Sequence, residues 1–208
     1  MITIDEMREL ESVALDQGIT MQQLMENAGK QVFRAVQKKM DLQGKHVIVF
    51  AGSGNNGGDG LAAARYFAKE CSVLVLFFGK REKMPEEARK NYAKIKNHVT
   101  ILPIQSEEEL KQFRFQKNAQ LVLIDALLGT GVKGKLKPQA SLGIDYYNSL
   151  EGYKVAVDVP SGMNADTGEV EEKSCNVDLI VTHHDLKPGL EKVKEKTVVV
   201  DIGIPRRG

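Results

Sequence analysis

Residues 46–65 read HVIVFAGSGNNGGDGLAAAR, and the order of events in this stretch decides the fold. An apolar run from His46 to Ala51 has the length and composition of a strand buried on both faces. It passes into Gly52-Ser53-Gly54-Asn55-Asn56-Gly57-Gly58-Asp59-Gly60, and then into Leu61-Ala62-Ala63-Ala64-Arg65, which reads as a helix. Glycines let a backbone approach a phosphate closely, and free amides at a helix start favour an anion.

The same rhythm continues outward. Further strand-like runs occupy 73–78, 99–102, 121–124, 155–159, 179–182 and 198–202, and helices are expected at about 61–70, 86–97, 106–113 and 138–149. Strands alternating with helices specify a mainly parallel sheet covered on both faces, so the predicted fold class is doubly wound α/β. Upstream, Thr3 with Glu6 and Thr20 with Gln23 form two capping boxes. The first precedes Met7, Leu10 and Ala14, the second Leu24, Met25, Ala28, Val32 and Val36, each set on one helical face. Two extra amphipathic helices therefore open the chain. The last third breaks the rhythm: residues 162–175 are polar and glycine-containing, and no clear helix separates the final two strands. An antiparallel or irregular sheet edge is expected there.

Composition narrows the function. The 208 residues suit one domain spanning 1–208, with a single core. With 29 Lys plus Arg against 28 Asp plus Glu, a net charge of +1 supplies no broad field for nucleic acid or an anionic membrane, so any anion site must be local. Two distant cysteines, Cys71 and Cys175, form no metal or redox pair and read as reduced, buried thiols. The acidic start of the chain does not resemble a signal peptide and no run is long enough to span a bilayer, which makes the cytoplasm the expected compartment.

Gly52, Gly54 and Gly57 satisfy the spacing of a dinucleotide-binding turn in its required strand-to-helix context. A dehydrogenase would place a ribose-binding acid at the end of the next strand, yet that strand ends Phe77-Phe78-Gly79-Lys80-Arg81. The polar side chains of Asn55, Asn56 and Asp59 are suited to ligating a ribose, phosphate or cation, or to stabilising a tight turn. A second glycine loop, Gly129-Thr130-Gly131-Val132-Lys133-Gly134-Lys135, mimics a P-loop until Leu136 stands where a triphosphatase needs Ser or Thr on magnesium. Phosphate binding survives that failure; triphosphate hydrolysis does not.

Asp125 and Asp158 both lie at carboxyl ends of strands, the edge where open α/β sheets bind ligands, so the two are expected to share one crevice. His183 and His184 are adjacent on a strand, point to opposite faces and lack the companions a zinc site needs. Lys187-Pro188-Gly189 reads either as a cation at the same sheet edge or as a loop with a solvated lysine.

Taken together, residues 55–60, Asp125-Ala126-Leu127-Leu128-Gly129-Thr130-Gly131, Asp158-Val159-Pro160-Ser161-Gly162 and Lys187-Pro188-Gly189 resemble the NAD(P)H-hydrate epimerase family, also called the YjeF N-terminal domain. The likeness runs from Met7-Arg8-Glu9-Leu10 and Met25-Glu26-Asn27-Ala28-Gly29 to Asp201-Ile202-Gly203-Ile204-Pro205. It implies a Rossmann-like αβα sandwich, commonly dimeric, that interconverts the R and S hydrates of NADH and NADPH (NADHX and NADPHX) with a bound potassium ion. By motif, potassium would be held at Asn56, Asp125 and Ser161. The hydrate would lie against Asn55, Asn56, Gly57, Gly58 and Asp59 and against the loop from Gly129 to Lys135, with Asp158 contacting its altered ring as the acid/base. A separately encoded hydrate dehydratase is the implied functional partner. One departure is His183-His184-Asp185-Leu186 before Lys187, where the family more often has an aromatic residue and an Ala-Pro step. Two other readings compete: an NAD(P)-dependent oxidoreductase, and a non-catalytic nucleotide-binding or scaffold module of the same fold.

Overall fold

The computed structural model describes residues 1–113, 115, 120–131 and 134–205. Helices α1 (Ile4–Asp16) and α2 (Met21–Gln37) come first, each opened by its capping box at Thr3 and Thr20. There follow β1 (His46–Ala51), α3 (Asn55–Phe67), β2 (Ser72–Phe77), α4 (Glu86–Ile95), β3 (Thr100–Pro103), α5 (Glu107–Lys111) and β4 (Leu121–Ala126). The chain continues with α6 (Pro138–Ser149), β5 (Tyr153–Val157), β6 (Leu179–His183) and β7 (Thr197–Val200).

Among the described residues the strands form one seven-stranded sheet in the order β3-β2-β1-β4-β5-β6-β7, with every neighbouring pair parallel. Alternation along each strand sorts its side chains between two layers. Val47, Val49 and Ala51 of β1, with Ile124 of β4 and Val157 of β5, join Leu24, Met25, Leu61 and Ala88 from the helical layer of α2, α3 and α4. Ile48, Phe50 and Leu123 face the other way, onto Leu110 of α5 and Ile144 and Tyr147 of α6. Tyr147 is fully buried and donates its hydroxyl to Leu123 O at 3.3 Å, so a polar atom in this core has a partner. The doubly wound α/β fold with two additional N-terminal helices is thus present.

The expected antiparallel or irregular edge is corrected: β7 runs parallel to β6, Ile180 opposite Thr197 and His183 opposite Val200. The crossover is a 3₁₀ segment over Pro188–Lys196, kinked at Val193 (φ −126°), which buries Leu190. A parallel connection needs to return the chain over the sheet face but does not need an α-helix to do so. The segment is short, begins Pro-Gly and has only Leu190 and Val193 as apolar residues, so a pattern search passes over it.

The start of α3 also differs from expectation, at Asn55 rather than near residue 61. Glycine is a poor helix former, yet these glycines sit where the helix presses closest to its neighbours. A Cβ on Gly60 would come within 2.4 Å of Ala126 Cβ, and one on Gly57 within 1.9 Å of Gly52 O. Close packing against β4 and the turn after β1 therefore requires glycine at both positions. Cys175 is buried as expected, whereas Cys71 is half-buried, and both thiols are free.

Candidate functional site

Strand order reverses between β1 and β4, so the crevice outside their carboxyl ends is the switch point where open α/β sheets bind ligands. Both glycine loops leave the sheet there and interlock. Gly52 donates its N–H to Ala126 O at 3.0 Å, and a Cβ on Gly52 would stand 2.0 Å from Leu127 O. A Cβ on Gly129 would stand 3.0 Å from Asn56 Cβ, which fixes the second loop over the first turn of α3.

Beneath that junction lie Asn56, Asp125 and Ser161, all buried. Asn56 Nδ2 donates to Leu128 O at 2.6 Å, leaving Asn56 Oδ1 buried with no hydrogen-bond partner among the described residues. Ser161 donates its N–H to Asp125 Oδ2 at 2.7 Å and its Oγ–H to Asp125 Oδ1 at 2.5 Å, and Leu127 N–H reaches Oδ1 at 3.2 Å. Burial pushes the Asp125 carboxyl above its ordinary range, against the pull of those bonds. Cys175 is packed beside it, its thiol raised first by burial and then by the Asp125 charge. An orphaned amide oxygen, a carboxylate, a hydroxyl and the Leu128 carbonyl form an all-oxygen set suited to a hard cation.

A second cluster surrounds Asp158, one residue past β5. Its backbone is left-handed (φ 65°), a conformation uncommon outside glycine. Its N–H still donates to Val181 O at 2.8 Å, and its side chain turns toward β6. Asp158 Oδ1 accepts from Lys187 Nζ at 2.6 Å, Thr182 Oγ1 at 3.1 Å and His183 N–H at 3.1 Å. Lys187 is fully buried and also donates to His183 O at 2.7 Å. Burial alone would raise the Asp158 carboxyl, but Lys187, His183 and the hydrogen bonds bring it down to about 2. Burial holds His183 near 4, despite the neighbouring carboxylate, so its ring is neutral at pH 7. Asp59 and Glu11 lie within the electrostatic reach of Asp158. Burial, then the charges of Asp158 and Glu11, keep Asp59 well above the usual carboxyl range.

Those expected site residues that the structure describes are thus brought to one sheet edge, with differences in detail. Asp125 and Asp158 stand at the ends of adjacent strands but share no hydrogen-bond partner, so the expected common crevice holds two distinct clusters. Asn55 is exposed, Gly57 and Gly58 are buried packing positions, and Asp59 is half-buried. Thr130 is half-buried, while Gly131, Gly134 and Lys135 are exposed, with Gly134 left-handed (φ 71°). Val132 and Lys133 lie outside the described residues. Lys187, open between a loop lysine and a site cation in sequence, is buried against Asp158. Glu11, Thr182 and Cys175 carried no motif to announce them. Among the described residues no group of three or more His, Cys, Asp or Glu side chains is arranged to hold a metal. Two cavities of about 520 and 560 Å³ lie elsewhere, lined by residues such as Met40 and Lys45 or Glu26 and Arg65, and neither includes a residue of the glycine loops or of the Asp125 and Asp158 clusters.

The family model described as YjeF-related protein N-terminus matches residues 21–189. The chain belongs to this YjeF-related family. A Nitrosopumilus maritimus relative named NAD(P)H-hydrate epimerase is 35% identical over 98% of this chain and 95% of its own length. A Cenarchaeum symbiosum protein of the same name is 32% identical over the same shares. A bifunctional NAD(P)H-hydrate repair enzyme of Archaeoglobus fulgidus is 39% identical over 90% of this chain, which spans only 38% of that longer protein. The crystal structure of the yeast protein ynu0 superposes with a TM-score of 0.83 at 25% identity, covering 97% of this chain and 87% of the other. The YjeF-related fold is therefore shared along nearly the whole chain.

Proposed function

We propose that this protein is an NAD(P)H-hydrate epimerase, interconverting the R and S hydrates of NADH and NADPH, and that residues 1–208 act as one domain. The observation that carries the reading is the convergence of the two glycine loops with Asn56, Asp125, Ser161 and Asp158 at the switch-point crevice. The names of the full-length relatives support it.

The damaged carbon of the substrate carries a hydroxyl beside the ring nitrogen, so it can invert by departure of the hydroxyl and re-addition of water to the other face, the route proposed here, or by ring opening and reclosure. A group that holds or moves a proton at that carbon is typically worth about 100- to 10,000-fold. Asp158 presents its Oδ2 oxygen without a hydrogen bond from any described residue, available to the altered ring. Asn55 to Asp59 and Gly129 to Lys135 would cradle the pyrophosphate and ribose through backbone amides and lysine.

Asn56, Asp125, Ser161 and the Leu128 carbonyl would hold potassium, and the buried unpartnered Asn56 Oδ1 favours such an occupant. When bound, the ion neutralises Asp125 and ties α3 to the loop after β4. In the longer relatives the name itself states two repair functions; here a separately encoded hydrate dehydratase is the proposed partner. Among the described residues no helix is long and apolar enough to cross a membrane. The cytoplasm and a homodimer are the compartment and assembly that the family resemblance suggests.

The test is the rate at which purified protein interconverts separated R and S hydrates, in potassium and then in lithium at equal ionic strength. Acceleration that depends on potassium supports the reading. A rate equal to buffer overturns it in favour of a ligand-binding module.

A further inference from the structure

Three carboxyl groups and one ammonium lie within electrostatic reach of one another around Asp158. Glu11 comes from α1, Asp59 from α3 and Asp158 from the turn after β5, while Lys187 arrives from the turn after β6. His183 on β6 is the remaining titratable group: its Nδ1 stands 4.0 Å from Asp158 Oδ1, and its buried Nε2 has no partner among the described residues. Burial and Asp158 raise the Glu11 carboxyl, against the weaker pull of Lys187 and then Arg8.

One buried ammonium can compensate one carboxylate, and the hydrogen bonding says which. Lys187 Nζ is 2.6 Å from Asp158 and is spent on that oxygen and on His183 O. Asp59 receives no hydrogen bond or ion pair among those formed by the described residues. Like charges crowded in a low-dielectric site cannot all ionise, so a group left without a counter-ion keeps its proton. Glu11 is less suited to chemistry, being on α1 outside the glycine loops, whereas Asp59 lies in the glycine segment that opens α3 at the crevice.

We infer that the site divides its acid–base work between two carboxyl groups: Asp59 is the proton donor, and Asp158, kept ionised by Lys187 as a positioning residue, is its basic counterpart. The inference rests on the epimerase reading above. Asp59 passes its proton to the departing hydroxyl, the carbon–oxygen bond breaks, water leaves, and the ring-nitrogen lone pair forms a carbon–nitrogen double bond. Water then adds to the opposite face, its extra proton goes to Asp158 Oδ2, and solvent returns that proton to Asp59. No proton is consumed overall. The direction of the shifts at the two residues agrees with this division, Asp59 being raised and Asp158 lowered.

The experiment measures hydrate interconversion from pH 3 to 9 for the wild type, Asp59→Asn, Lys187→Met and Thr182→Val, so that a limb lifted from the Asp158 value near 2 enters the range. Asp59→Asn lowers kcat at least 100-fold with KM changed by less than about threefold. Lys187→Met moves the acid limb of kcat/KM upward by more than about one pH unit, because Asp158 then takes up a proton more readily. Thr182→Val removes one of the three bonds to Oδ1 and moves the limb the same way by less, which keeps the clamp testable if Lys187→Met does not fold. An Asp59→Asn enzyme retaining more than a tenth of the wild-type kcat overturns the donor role. Acid limbs unmoved in the folded clamp variants overturn the role of Lys187. An inactive wild type instead brings down the epimerase reading itself, a result distinct from an active wild type with active variants.

Discussion

Ser161 grips the Asp125 carboxylate from two directions, its N–H on Oδ2 at 2.7 Å and its hydroxyl on Oδ1 at 2.5 Å. Because both groups are buried, this pair sets the position of a negative charge that water does not reach. Ser161→Ala removes one charged hydrogen bond and leaves a buried carboxylate under-satisfied, at a cost of about 1.5–3 kcal/mol. Urea unfolding should register that loss, and activation by potassium should require higher concentrations in the same variant.

Asn56 Oδ1 gives a second prediction, since a buried acceptor without a partner is expensive unless an occupant supplies one. Thermal unfolding in potassium chloride should have a higher midpoint than in lithium chloride at equal ionic strength. In Asn56→Ala that difference should vanish, because stabilisation by a bound ion scales with its affinity for the folded state. An unchanged potassium-dependent shift in the variant would remove Asn56 from the cation site.

The third prediction concerns pH. His183 titrates near 4 when folded against 6.5 for a free imidazole, so the unfolded chain binds its proton first as pH falls. Its contribution is complete above pH 6.5 and is lost between 6.5 and 4, amounting to about 3 kcal/mol. Asp158 acts in a lower window: its depressed carboxyl contributes stability above 3.8 that is lost as pH falls toward 2. Asp59 has the opposite sign, its raised carboxyl opposing folding as pH rises above the usual carboxyl range. Comparing urea midpoints of the wild type and His183→Gln from pH 7 to 4 isolates the imidazole, and the variant should lose less stability over that window. Parallel curves for the two proteins would refute the assignment.

Glycine positions separate packing from binding. Gly57→Ala places a methyl 1.9 Å from the Gly52 carbonyl, a backbone atom that cannot rotate aside, and should destabilise by about 3 kcal/mol or more. At Gly54 nothing lies within 4 Å of the added carbon. Gly54→Ala should keep its melting midpoint within about 2 °C of the wild type. It should nonetheless weaken NADPH binding, because in the proposed site the new methyl would stand where the pyrophosphate approaches the start of α3. Differential scanning calorimetry and equilibrium binding check the two arms.

How much was legible depends on whether the signal was local. The capping boxes at Thr3 and Thr20, the buried strands and the span of α6 are written in short-range pattern, and each lies where pattern places it or within two residues. The parallel β7 edge was not legible, because the 3₁₀ crossover from Pro188 is short, opens on Pro-Gly and offers only two apolar residues. Within the site, Asn56, Asp125, Asp158 and Ser161 were recognisable from residue type and motif. Glu11 and Cys175 were not, being an ordinary helical acid and a lone thiol until folding sets one near Asp158 and the other beside Asp125.

Sequence by itself determined the class of the fold, the switch-point glycine loops and the identities of the groups gathered there, since period, glycine spacing and residue chemistry are properties of neighbours along the chain. Tertiary structure alone decided which groups face one another. The burial of Lys187 against Asp158, the orphaning of Asn56 Oδ1 and the separation of Asp125 from Asp158 into distinct clusters arise from contacts between segments far apart in the chain. Desolvation and Coulomb interaction depend on distances and burial in space, and those determine which carboxyl holds a proton and which holds a charge.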